Sequence, residues 1–184
     1  MEVAVRYTLL SSYGKLLCAI LVAAMMLPSS CAKKETGRYY NRAKGFSVVF
    51  PATWEIREGY MGTAVIAINP EHSDSDAIRE NVNVYIEEQG KSLRLDEYYA
   101  LSLENMRKYL NDFTVRKEGR SSIDGHDARW FICTHTQGRV TLRVISYLLI
   151  KEHRAYVITC SASDAAFKPS MATFDSIARS FRLE

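Results

Sequence analysis

Long hydrophobic runs are scarce in this 184-residue chain, and the most prominent, Leu16–Leu27, contains only 12 uncharged residues. As a helix this run would extend roughly 18 Å, at about 1.5 Å per residue, against a bilayer hydrocarbon core of roughly 30 Å. It is therefore too short to span a membrane comfortably. Arg6 and Lys15 precede it, and small residues and then charged residues 33–35 follow it, as in a secretory signal. The sequence predicts export rather than an uncleaved anchor.

A cysteine gives this leader a specific end. Bacterial lipoprotein signals place small residues just before a cysteine, and Pro28-Ser29-Ser30-Cys31 resembles such a box. We therefore predict that residues 1–30 are a lipoprotein signal peptide and that Cys31 is the lipid attachment site. Pro28 stands where an aliphatic residue is more usual. An ordinary signal peptidase cut near Ser30 or Ala32, which would leave a soluble secreted protein, stays open as the alternative.

A large excess of charge of one sign is also missing. The chain has 24 basic and 21 acidic residues, and loss of residues 1–30 would leave 22 and 20. This balance predicts no nucleic-acid partner. Residues 31–44 are polar and short, so we expect a lipidated tether that holds the protein to a membrane. Lys33, rather than an aspartate, occupies the second position after Cys31, which slightly favours the outer membrane, facing the periplasm.

Histidines and cysteines, which metal sites and nucleophilic enzymes often use, number four each. The histidines stand singly in different segments, at His72, His126, His135 and His153. The G-x-S-x-G sequence of serine hydrolases is absent. Cys133 and Cys160 lie inside apolar stretches, where a structural thiol is expected rather than a nucleophile beside His135 or His153. The sequence therefore predicts no catalytic residues and no enzyme activity.

One dense group of metal-ligand residue types occurs, at Glu71, His72, Asp74 and Asp76. Calcium or zinc would accept these side chains, but the group lacks the glycine and the terminal glutamate of an EF-hand loop. We interpret it as part of a solvated polar loop over residues 71–80. The sequence accordingly predicts no metal and no cofactor.

Residues 45–184 have the patterns of one α+β domain. Apolar and polar residues alternate in several short segments, which predicts strands near 46–50, 54–56, 63–68, 82–86 and 113–118. Three longer apolar segments follow with short links, at 128–135, 140–150 and 155–161. Consecutive strands with short links favour an antiparallel meander. In that order a whole strand separates Cys133 from Cys160, so we predict that the two thiols are not bridged.

Two further segments change to the period of an amphipathic helix. The first stripe consists of Leu95, Tyr99, Leu103, Met106 and Leu110. The second consists of Phe167, Met171, Phe174, Ala178 and Phe181, and Pro169 is expected to help start that helix. Residues 140–150 are apolar at both odd and even positions over their second half, so we expect this strand to be covered on both sides. A helix on each face of the sheet would provide that cover.

Four arginines could line one face of this sheet. They are Arg129, Arg139, Arg143 and Arg154. One interpretation is a phosphate or anionic-lipid site. The interpretation that we favour is ion pairing with glutamates of the same sheet, namely Glu87, Glu88 and Glu152.

The order of these elements resembles that of a known family. Residues 45–51, Gly-Phe-Ser-Val-Val-Phe-Pro, followed by Trp54, resemble the opening of PsbP-like and DcrB-like domains. The resemblance extends over roughly residues 40–184 through the helix at 93–110, the turn at Gly125 and the segment Ala-Tyr-Val-Ile-Thr at 155–159. It implies an α/β/α sandwich with a central, mostly antiparallel sheet and helices on both faces.

The resemblance also implies a function, because members of this family act mainly by docking onto partners. It implies no catalytic residue. We therefore expect an exported, membrane-anchored lipoprotein of the bacterial cell envelope, whose non-enzymatic PsbP-like domain docks on a protein partner. The alternative is a carrier or sensor that holds a small ligand between the sheet and a helix. A hydrolase with an unrecognised set of residues is the third possibility.

Overall fold

The computed structural model describes residues 37–71, 78–90 and 93–184. Ten strands and two α-helices form in these ranges, and a short 3₁₀ turn covers Tyr60–Gly62. The strands are β1 (Arg38–Asn41), β2 (Phe46–Val49), β3 (Glu55–Glu58), β4 (Val65–Ile68), β5 (Asn81–Glu88), β6 (Asn111–Ile123), β7 (His126–Gln137), β8 (Val140–Lys151), β9 (Arg154–Ser163) and β10 (Arg182–Leu183). The helices are α1 (Leu95–Tyr109) and α2 (Asp164–Ser180).

A seven-stranded antiparallel sheet forms the centre of the fold. Its strand order is β3-β4-β5-β9-β8-β7-β6, so β7, β8 and β9 form the predicted meander. Helix α1 packs against β6, β7 and β8 on one face, and α2 packs against β8 and β9 on the other. We call these the α1 face and the α2 face. The predicted α+β class, an α/β/α sandwich with helices on both faces of a mostly antiparallel sheet, is confirmed.

The cover of β8 follows from its sequence. Leu142, Val144 and Leu148 are buried in the cluster that contains α1. Ile145 and Leu149, which have the opposite parity, are buried in the cluster that contains α2. Both faces of this strand are therefore dry over its second half, as the residue pattern predicts.

A second, three-stranded sheet packs against α2 through β2. Its order is β1-β2-β10, and all its pairs are antiparallel. Phe46 of β2 stacks on Phe181 with ring centroids 5.4 Å apart, and both rings are fully buried in the α2-face cluster. The segment at 46–50 is thus a strand, as predicted, but it belongs to a sheet of its own.

Strand β1 is part of the folded domain. It lies within residues 31–44, which the sequence analysis assigns to a tether, yet Tyr39 and Tyr40 pair with Val48 and Ser47 of β2. Tyr39 also packs against the core through Phe46 and Phe50. The folded domain therefore begins before Gly45. Because polar residues flank these tyrosines, the sequence shows no apolar alternation that would predict this short strand.

Helix α2 begins earlier than its proline suggests. The Ser163 hydroxyl accepts a hydrogen bond of 3.2 Å from the backbone N–H of Ala166, which caps the first turn. Pro169 consequently lies inside the helix and does not start it. The prediction for Pro169 is wrong because the serine cap places the first turn five residues upstream of the proline.

A β-bulge divides β6 into two halves. Val115 lies opposite Cys133 and Lys117 lies opposite Ile132, so Arg116 is an extra residue with no residue opposite it in the β7 ladder. Val115 packs in the α1-face cluster, whereas Ile132 packs in the α2-face cluster. The bulge therefore reverses the side-chain parity of β6: odd positions face α1 before residue 116 and face α2 after it.

Candidate functional site

The predicted lipid attachment site, Cys31, lies outside the described residues, as do residues 1–30 and His72, Asp74 and Asp76 of the ligand-type group. In the ranges 37–71, 78–90 and 93–184, no group of three or more His, Cys, Asp or Glu side chains could hold a metal ion. No helix in these same ranges is both long enough and apolar enough to cross a membrane.

The two described cysteines are buried structural thiols. Cys133 faces α1 and Cys160 faces α2, with β8 between their strands, so the predicted separation is confirmed and both thiols are free. Burial raises the pKa of Cys133 to about 12 and raises the pKa of Cys160 even further above its ordinary value. A nucleophilic cysteine needs a thiolate at neutral pH, and burial disfavours that form here.

The four arginines do not share one face, and that part of the prediction is wrong. Arg129 lies on the α1 face, where its guanidinium is 3.0 Å from Asp96. Arg143 lies on the α2 face, 2.7 Å from Asp164, and Arg154 is 2.9 Å from Glu88. Arg139 lies in the exposed β7–β8 turn. The favoured interpretation, ion pairing, holds for three of the four, although only Arg154 pairs with a predicted glutamate.

Four cationic side chains meet at a cavity between α2 and the β6–β8 part of the sheet. We call it the cationic cavity; its volume is about 660 Å³. Arg116 and Lys117 reach it from β6, Arg143 reaches it from β8, and Lys168 reaches it from α2. Neighbouring residues of a regular strand point to opposite faces, so Arg116 and Lys117 can both line this cavity only because of the bulge.

Each arginine of the cationic cavity is held by a specific contact. Arg116 Nε donates a hydrogen bond of 3.2 Å to the hydroxyl of the buried Thr134. The Arg143 guanidinium lies 5.7 Å from the Phe167 ring centre and pairs with Asp164. Arg143 Nε is buried and has no hydrogen-bond partner within the described residues. The cavity thus presents two guanidinium groups that are held in place by contacts with the domain.

A second feature is an apolar surface at the β3–β4 hairpin. We call Arg57, Tyr60, Met61 and Tyr85 the hairpin surface. Met61 is 86% exposed, and Tyr60 and Tyr85 are each 43% exposed. The Arg57 guanidinium lies 5.6 Å from the centre of the Tyr60 ring. Large apolar side chains are thus exposed beside a cation, and these residue types are enriched at protein interfaces.

Three residues of this hairpin turn have positive φ angles. Met61 has a left-handed φ of 49°, and the glycines on either side of the turn, Gly59 and Gly62, have φ values of 65° and 82°. A left-handed conformation costs a residue with a side chain about 1–2 kcal/mol. The turn accepts this strain while leaving Met61 in solvent, where its side chain contributes little to the core.

Neither feature is predicted from the sequence. Lys117 and Lys168 are far apart in the sequence, and their common cavity depends on a bulge that no residue pattern predicts. Tyr60 and Met61 did carry a signal, because the sequence Gly-Tyr-Met-Gly places two large apolar residues between two turn-forming glycines.

Solved structures share this fold at low sequence identity. Cyanobacterial PsbP from Synechocystis sp. PCC 6803 has a TM-score of 0.61 and 16% identity, over 80% of this chain and 91% of that one. LpqN of Mycobacterium tuberculosis has a TM-score of 0.60 and 12% identity, over 75% and 82%. The Ran-binding protein Mog1p of Saccharomyces cerevisiae has a TM-score of 0.57 and 11% identity, over 79% and 94%.

Sequence comparison identifies the family. No curated protein sequence matches this chain. The profile of the PsbP-like protein family, however, matches residues 28–183, which include every strand and helix described above. The chain therefore belongs to the PsbP-like protein family.

Proposed function

We propose that this protein is an exported lipoprotein of the bacterial cell envelope, anchored through Cys31, whose domain acts by docking on a protein partner and not by catalysis. The observation that carries the docking proposal is the hairpin surface. Aromatic residues, methionine and arginine are the residue types enriched at protein interfaces, and this surface combines all three.

The hairpin surface is centred on a tight, exposed turn. Gly59 and Gly62 allow a tight turn, and the turn presents Met61 almost fully to solvent. The partner that fits is a protein with an apolar pocket for Met61 and the Tyr60 ring, with an acceptor near Arg57. Two relatives in fold have roles that agree with this proposal: Mog1p is a Ran-binding protein and LpqN is involved in cell envelope biogenesis.

Docking is best tested by photocrosslinking in intact cells. A benzophenone amino acid would replace Tyr60, and the matched control would carry it at Tyr109, which is 71% exposed on α1. We expect position 60 to give one discrete adduct with another protein. The Tyr109 control should lack this adduct, and adding Met61→Asp should abolish it. An adduct common to both positions, or an adduct only between copies of this chain, would contradict the proposal.

Lipid attachment at Cys31 is tested separately. Lipid at Cys31 would hold the protein to a membrane because each buried methylene contributes about 0.8 kcal/mol. Cells would be labelled with a clickable palmitate analogue and fractionated. We expect label and membrane association for the natural chain and for Cys18→Ala, and loss of the label for Cys31→Ala. Label that persists in the Cys31→Ala chain would exclude this attachment site.

A further inference from the structure

The cationic cavity has no role in the docking proposal and is remote in sequence from the hairpin surface. We infer that it binds an amphiphile with a phosphate head group and a hydrocarbon portion. Four cations line or border it, whereas Asp164 is the one carboxylate that pairs with any of them within the described residues. This surplus of positive charge is suited to an anion.

The cations are arranged for a phosphate group. Arg116 and Arg143 supply planar guanidinium groups, which match the spacing of phosphate oxygens, and Lys117 and Lys168 supply point charges. They converge from two strands and a helix, so the site does not depend on one flexible segment.

The rest of the lining explains the hydrocarbon portion. Ile132, Phe167 and Met171 contribute apolar surface beside the cations, and Phe167 is almost fully buried. A volume of about 660 Å³ lies within the roughly 300–1,000 Å³ of small-molecule sites. A bare phosphate ion would leave most of it unfilled. An apolar group attached to the phosphate would cover Met171 and Ile132 and remove them from water.

Calorimetry on the full chain in dodecyl maltoside would test this inference, with the uncharged detergent as an amphiphile background. The probes are hexyl phosphate, inorganic phosphate and hexanol. We expect hexyl phosphate to bind more tightly than either of the other two. Equal affinity for hexyl phosphate and inorganic phosphate would overturn the amphiphile assignment, and equal affinity for hexyl phosphate and hexanol would overturn the anion assignment.

A pair of variants makes the test specific to the cavity. Lys168→Gln removes a cavity cation, and Lys108→Gln removes an exposed cation of α1, so both reduce the net charge equally. Loss of one charge-assisted hydrogen bond predicts about tenfold weaker hexyl phosphate binding for Lys168→Gln and no change for Lys108→Gln. Equal urea midpoints would show that both variants are folded. Wild-type affinity in a folded Lys168→Gln chain would overturn the inference.

Chemical protection distinguishes the source of the ligand. The amines of Lys117 and Lys168 would be acetylated and quantified by mass spectrometry. Protection by nanodiscs of phosphatidylglycerol, but not of phosphatidylcholine, would identify a membrane phospholipid head group. Protection by hexyl phosphate alone would identify a soluble phosphate ester. Protection of neither lysine by any of these probes would overturn the site.

Discussion

The hydroxyl of Tyr99 donates a hydrogen bond of 2.6 Å to Glu118 Oε2, and this bond links α1 to the second half of β6. The guanidinium of Arg129 lies 4.0 Å from the centre of the same ring and pairs with Asp96 at the start of α1. One buried aromatic residue therefore organises the attachment of the helix to the sheet. Because Glu118 faces α1 only through the parity change at Arg116, this attachment also depends on the bulge.

Removal of the Tyr99 hydroxyl should weaken that attachment. We expect Tyr99→Phe to lower the free energy of unfolding by about 1 kcal/mol, since it deletes one hydrogen bond to a carboxylate at the sheet surface and keeps the ring under Arg129. Urea unfolding measures the change. Tyr109→Phe, at an exposed position of the same helix, is the control and should have no effect. Equal losses in the two variants would contradict this account.

Alkaline pH should destabilise the fold through its tyrosines. Burial, together with Glu118, raises the pKa of Tyr99 to about 12, and burial with Glu58 raises that of Tyr39 to about 12. The pKa of an unfolded tyrosine is about 10. Between these values the folded state binds more protons than the unfolded state, so this stabilisation is complete below pH 10 and is lost as pH rises through about 12.

Two measurements check this pH dependence. The urea midpoint should be level from pH 8 to pH 9.5 and should fall from pH 10 upward. Absorbance at 295 nm should show late ionisation of the buried tyrosines Tyr99 and Tyr39. Tyr99→Phe should remove one late-titrating group. A midpoint that is unchanged at pH 11 would contradict the proton linkage.

Close packing against a glycine gives a third prediction. A Cβ on Gly119 would lie 2.7 Å from Cζ2 of Trp130, the residue opposite it in β7. Gly119→Ala should therefore cost about 1–3 kcal/mol of stability, whereas Gly90→Ala, with nothing within 4 Å, should not. In a Trp130→Leu background the cost of Gly119→Ala should nearly vanish, because the overlapping ring is gone. A cost that is independent of residue 130 would show that the overlap is not its cause.

Local patterns predict those parts of this fold that local contacts decide. The stripe from Leu95 to Leu110 predicts α1 within one residue, and the two-sided apolar pattern of 140–150 predicts the double cover of β8. The second sheet is different. Phe46, Val48 and Phe50 have the pattern of any half-buried strand, and their alternation does not reveal whether their partner is the large sheet or β1 and β10. Contacts between residues distant in the sequence, such as the packing of Phe46 on Phe181, decide that question.

The candidate sites are harder to predict for the same reason. The cationic cavity combines residues 25 or more positions apart, such as Lys117, Arg143 and Lys168, on a face that is set by the bulge. Period-2 reasoning assigns Lys117 and Val115 to the same face, and the structure assigns them to opposite faces. Arg143 is therefore a candidate from the sequence, whereas the residues that accompany it in the cavity are not.

Deletion of the bulge residue is the sharpest test of this structural account. Without Arg116, Val115 opposite Cys133 would be followed directly by Lys117 opposite Ile132, as in a regular ladder. Every other side chain of β6 would keep its face, so the deletion should cost only about 1–2 kcal/mol, mainly for the lost hydrogen bond to Thr134.

The matched control deletes Ser146 from β8, whose ladders with β7 and β9 contain no bulge that could absorb the change. It moves one half of β8 by a single residue, which exchanges the side chains that face α1 with those that face α2. We expect this chain to lose cooperative unfolding in urea, while the chain without Arg116 retains it and binds hexyl phosphate more weakly than wild type. Equal damage from the two deletions would contradict the assigned register, because the loss of Arg116 leaves Phe113 and Val115 facing α1 and Ile123 facing α2, whereas the loss of Ser146 exchanges the faces of one half of β8.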